Sequence, residues 1–160
     1  MNDINKKLTL DTGALNEFAS MVDTCFEMED REYIYKLCPF DRTVQKSKSN
    51  NAETVIGYWG NWGENEASKY SVMKFQNGLA CWNGPQRSTL VRLTCGLENK
   101  VISVSEPNRC EYEMKFETPA LCDHEGAANE SSQPDGHHQH EDLWAGLRKK
   151  LIIIENIEYN

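Results

Sequence analysis

Four polar side chains in this sequence stand beside rigid features, and together their chemistry suits one kind of ligand. Arg87 follows the Gly84-Pro85 turn, six residues after Cys81. Glu106 precedes Pro107 and sits four residues before Cys110. Tyr112 lies two residues past Cys110 on the inward face of an alternating segment, and Gln45 occupies the short strand "TVQK". Taken singly, each has an ordinary structural reading: a surface arginine, a glutamate paired with Arg87 or Arg109, a core tyrosine, an exposed strand glutamine. As a set they supply a planar fork of donors, an acceptor, a group that does both, and a hydroxyl on an apolar plate. That set matches the vicinal hydroxyls of a neutral polyol such as a pyranose. A site so built rejects a sugar with one hydroxyl inverted, because buried polar groups would be left unpaired.

Catalysis has less support. The chain has no Gly-rich phosphate loop and no Gly-x-Ser-x-Gly. His124, His137, His138 and His140 all follow the last cysteine, so the preceding region has no histidine for a triad or a metal shell. Most carboxylates fall on outward strand faces, where a solvated surface explains them better than a glycosidase pair does. The chain reads as non-enzymatic, with no cofactor and no metal.

The elements that must hold these side chains are strands. "YIYKLCPF" is aromatic and β-branched, stopped by Pro39, and "TVQK" follows it. "TVIGYWGNWG" runs into a Gly/Trp-rich bend, and "YSVMKF-QNG-LACW" reads as a hairpin around Asn77-Gly78. In "STLVRLTC", Val91, Leu93 and Cys95 share one face. "CEYEMKFE" alternates strictly, with Cys110, Tyr112, Met114 and Phe116 inward. Seven or more short strands with turn signals between them predict an all-β sandwich or flattened barrel. Residues 1–13 read as a linker and 14–122 as the domain. Residues 123–142 read as a polar, disordered linker, and 143–160 as a short amphipathic helix or an extension.

The net charge is −8, which argues against nucleic acid or an anionic membrane as partner. From Ala14 to Cys122 there are fifteen acidic and twelve basic side chains, against eight and three after Cys122. The acidity is therefore concentrated in the tail. No apolar run is long enough to span a membrane. Six cysteines, at 25, 38, 81, 95, 110 and 122, are widely spaced and include no Cys-x-x-Cys, so bridges fit better than zinc. Their spacing alone leaves fifteen connectivities open. The first residues lack the apolar core of a signal peptide, so the chain reads as a piece of a longer secretory protein.

"CFEMEDREYIYKLCPF", "TVQK", "GLACWNGPQRSTLVRLTCG" and "VSEPNRCEYEMKFETPALC" resemble the mannose-6-phosphate receptor homology (MRH) lectin domain. Within that family the resemblance is to the form carried by a non-catalytic beta subunit of a glucosidase. "VSEP…CEYEMKFETP" also resembles a gamma subunit of the lysosomal-enzyme phosphotransferase, and a disulfide-rich adaptor with a degenerate pocket is the reading outside the lectins. The lectin resemblance implies a flattened two-sheet barrel and bridges Cys25–Cys38, Cys81–Cys110 and Cys95–Cys122. It implies that Gln45, Arg87, Glu106 and Tyr112 hold a mannose ring, with Trp82 a pocket wall or a core residue. It further implies high-mannose N-glycans as ligands, a catalytic glucosidase alpha subunit as partner, and residence in the endoplasmic reticulum lumen. The Trp59/Trp62 pair resembles the adjacent tryptophans of the degradation lectins, but Gly-Asn separates it, so that role is not carried over.

Overall fold

The computed structural model describes residues 3–63 and 66–122, so the sequence readings for 123–142 and 143–160 lie outside the described residues. Alternation of apolar and polar side chains sets the strands. They are β1 (Phe26–Asp30), β2 (Tyr33–Cys38), β3 (Arg42–Ser47), β4 (Glu53–Trp62), β5 (Val72–Gln76), β6 (Ser88–Cys95), β7 (Lys100–Asn108) and β8 (Glu111–Thr118). A short helix, α1 (Asp3–Leu8), precedes them inside the stretch read as a linker. In β8 the alternation holds throughout, with Tyr112, Met114 and Phe116 buried. The Gly/Trp-rich stretch expected as a bend is instead the second half of β4. A bulge between Trp59 and Asn61 absorbs the irregularity without ending the pairing with β5.

The strands form one continuous sheet in the order β1-β2-β3-β4-β5-β6-β8-β7. The edge strands β1 and β7 lie beside each other, so the sheet curls into a nearly closed, flattened barrel. Every pairing is antiparallel except β6 with β8. Because these two run the same way, Ser88 sits opposite Glu111 and Thr89 opposite Tyr112. The segments that carry Arg87 and Tyr112 therefore emerge at one end of the barrel.

Leu37, Ile56, Phe75, Val91 and Met114 are fully buried inside. Each contributes on the order of 1.5–3 kcal/mol relative to an exposed side chain. Trp59 and Trp62 join Phe40 and Phe75 in an aromatic cluster with ring centroids 5.1–5.8 Å apart, a packing role for both tryptophans. One buried polar rung crosses the interior. Thr43 Oγ1 donates to Thr89 Oγ1 at 3.0 Å, and Thr89 Oγ1 donates to the Ile56 carbonyl at 3.0 Å, so neither hydroxyl is left unpaired. Disulfides join Cys25–Cys38, Cys81–Cys110 and Cys95–Cys122, the pairing the resemblance implies.

Asp11 pins the N-terminal segment to this frame. Its carboxylate pairs with Lys69 Nζ at 2.7 Å and accepts from the Tyr70 hydroxyl at 2.9 Å, while its carbonyl accepts from Trp62 Nε1 at 2.7 Å. The Lys69 hydrogen bond leads the causes that hold the Asp11 carboxyl below its ordinary value. A depressed carboxylate contributes stability above its unfolded pKa and loses it as pH falls through the folded one. Because Asp11 is well exposed, that contribution is small. Asp11→Asn is expected to lower Tm by roughly 2–4 °C at pH 6. The gap should begin to narrow below about pH 4, the ordinary aspartate pKa, and close only as pH falls through the lowered one. Thermal unfolding at pH 6 and pH 3 checks this, and an equal gap at both would remove the charge from the account.

Candidate ligand-binding site

The loop between β5 and β6, residues 77–87, is braced by its own backbone. Gly78 N donates to Arg87 O at 2.8 Å, Arg87 N to Leu79 O at 3.1 Å, and Cys81 N to Pro85 O at 3.1 Å. Leu79 N donates to Val55 O at 2.9 Å, fastening the loop to β4. Gly78 is required there, because a Cβ would stand 2.8 Å from the Arg87 carbonyl oxygen and from the Gly57 and Ile56 backbone. The hairpin expected at Asn77-Gly78 does not form. Asn77 does turn the chain in the left-handed region (φ 56°), but "LACW" goes to β4 and to Gln86, and β5 takes β6 as its partner.

This bracing sets Arg87. Its Nη1 donates to the Leu79 and Ala80 carbonyls at 3.1 and 2.9 Å, and its guanidinium lies near enough to the Tyr112 hydroxyl to favour the ionised phenol. Its Nε is buried and has no partner among the described residues. Tyr112 is itself buried, and that burial pushes its phenol above the ordinary value against the opposing influence of the Arg87 guanidinium.

Glu106 is exposed on β7, and its Oε1 accepts from Cys110 N at 2.7 Å, close enough to Tyr112 for its charge to raise the phenol further. The Cys81–Cys110 bond ties the Arg87 loop to this turn. Gln45 enters from β3. Its Nε2 donates at 3.3 Å to the hydroxyl of Tyr35, its direct ladder partner on β2. Tyr35 is raised by burial and by the nearby Tyr112 and Tyr33. Arg87 and Glu106 thus act on the Tyr112 phenol, and Tyr112 in turn on Tyr35, the partner of Gln45, which puts the four residues in one neighbourhood.

Tyr35 and Tyr33 were not picked out from the sequence. The signal was the inward alternation of "YIYKLC", but only the β2–β3 register shows that one of its rings meets Gln45. Trp82 is 82% exposed, so the core reading of it fails. Its ring lies 5.9 Å beneath the Arg109 guanidinium, on the outside of the loop. An open cleft of about 820 Å³, lined by Leu10, Thr24, Phe40, Asp41, Tyr58 and Trp59 among others, includes none of the four residues. Size favours that cleft. Neighbouring donors and acceptors with a buried, unpartnered N–H instead distinguish the Arg87 cluster.

A disulfide-bridged, flattened barrel with this cluster at one end is an MRH domain. The crystal structure of the MRH domain of glucosidase II beta bound to mannose superposes with a TM-score of 0.53 at 31% identity, covering 65% of this chain and 98% of that one. Over 116 residues the chain is 46% identical to the glucosidase 2 subunit beta of Bos taurus, covering 72% of this chain and 22% of that protein. Against the Homo sapiens subunit it is 45% identical over 117 residues, covering 73% and 22%. The model of the glucosidase II beta subunit-like protein family matches residues 2–143. The chain belongs to that family, and it spans about a fifth of the length of these curated relatives.

Proposed function

We propose that this barrel is a non-catalytic lectin domain that binds mannose of high-mannose N-glycans through Gln45, Arg87, Glu106 and Tyr112. Trp82 offers an exposed aromatic face at the rim. In a longer protein of the glucosidase II beta type, the domain would bring glycoprotein substrates to a catalytic alpha subunit. The setting would be the endoplasmic reticulum lumen, where glucose is trimmed from N-glycans and folding is monitored. One observation carries the reading: a guanidinium fixed by two loop carbonyls, before any ligand arrives, with its buried Nε and further donors to spare. Individual sugar–protein hydrogen bonds contribute only about 1 kcal/mol, so a site held in place beforehand matters more than the number of contacts. A glycan array on the oxidised protein, with Arg87→Ala as control, tests this. Signals on high-mannose glycans that survive in Arg87→Ala, or no glycan signal at all, would overturn it.

Affinity is expected to be flat between about pH 6 and 8 and indifferent to chelators. The described residues contain no histidine, the side chain that ordinarily titrates there with a pKa near ~6.5. Burial raises Tyr35 and Tyr112, so both keep their protons well past this range. Mannose titrations across the range, with and without EDTA, decide the matter. A fall centred near pH ~6.5, or a loss on chelation, would contradict it.

A further inference from the structure

We propose that Tyr35 is the positioning residue that fixes the carboxamide of Gln45, held by its nitrogen so that its oxygen is left for the sugar. The inference rests on the mannose reading of the site and adds to it a residue outside the four. A carboxamide has two nearly isosteric ends, one donating and one accepting, and a free glutamine turns either way. Here a cross-strand neighbour holds it. Tyr35 and Gln45 are directly opposed on β2 and β3, and Gln45 Nε2 donates to the Tyr35 hydroxyl at 3.3 Å.

The phenol is not free to leave. Tyr35 is 9% exposed, packs in the hydrophobic core, and has the Tyr33 ring 6.1 Å away. With Nε2 tied, the amide oxygen is the end left to accept from a ligand hydroxyl.

The test is a double-mutant cycle on the oxidised protein, read as mannose Kd by calorimetry, for wild type, Tyr35→Phe, Gln45→Ala and the double variant. Tyr35→Phe is expected to weaken binding about three- to tenfold, the worth of one hydrogen bond. The double variant should bind no worse than Gln45→Ala alone, because Tyr35 acts through Gln45. Additive losses, or wild-type affinity in Tyr35→Phe, would overturn the positioning role. Absence of mannose binding by the wild type would instead sink the mannose reading. A second measurement needs neither sugar nor a folded variant: the Gln45 side-chain amide protons of the free wild-type protein, followed by NMR. A low temperature coefficient on one of them supports the bond to Tyr35. Two solvent-like coefficients would show that the bond is absent and end the proposal.

Discussion

Replacing Arg87 by lysine is expected to weaken mannose binding by about 1.5–3 kcal/mol, although the positive charge is kept. The guanidinium is engaged on several sides at once. Nη1 spans the Leu79 and Ala80 carbonyls, the guanidinium lies near enough to Tyr112 to influence its phenol, and Nε lies buried. An ammonium has three donors around one point and cannot reproduce a planar fork spread over the loop, Tyr112 and a sugar. Lysine would therefore either hold the loop or meet the ligand. The fold should survive, because the loop is also closed by backbone bonds and by Cys81–Cys110. Calorimetric titration with mannose, with near-UV dichroism as the control for folding, measures the effect. Binding close to wild type in Arg87→Lys would remove Arg87 from the site.

How far the sequence reached follows from what alternation can encode. Period-two patterning names the inward face of a strand, and in β8 it places Tyr112, Met114 and Phe116 inside as observed. It does not name the partner strand. The parallel register of β6 with β8 brings Arg87 and Tyr112 to the same end, and no local signal announces it. Asn77-Gly78 carries the strongest short hairpin signal in the chain, yet a long-range bond from Leu79 to Val55 redirects the strand that follows. β1 (Phe26–Asp30) escaped notice because its acids outnumber its two apolar residues. At the site, the four polar residues were nominated by chemistry beside rigid features and by family resemblance. Tyr35 was invisible for the same reason as the β6/β8 pairing, since its role exists only in the β2–β3 register.

Reduction of the three disulfides is expected to unfold the domain rather than only disable the site. The bridges close segments of 13, 29 and 27 residues. Each is worth about 2–4 kcal/mol, against a total stability on the order of 5–15 kcal/mol for a domain of this kind. Their positions sharpen the point. Cys25–Cys38 holds the entry to edge strand β1 against the end of β2, and Cys95–Cys122 holds the chain after β8 against the end of β6. Without them the curled sheet has little to keep its ends from fraying. Excess reductant should abolish near-UV dichroism and the cooperative urea transition, and retention of both would show the bridges to be incidental. The paired variant Cys81→Ala/Cys110→Ala separates fold from site. It removes one bridge that lies between the Arg87 loop and the Glu106/Tyr112 segment, while the β6–β8 ladder remains. That variant should stay folded with a stability lower by about 2–4 kcal/mol, and it should bind mannose more weakly because the loop has lost its tether. Unchanged affinity in a folded double variant would mean that backbone bonds alone hold Arg87 in place, and that the bridge serves the barrel rather than the sugar.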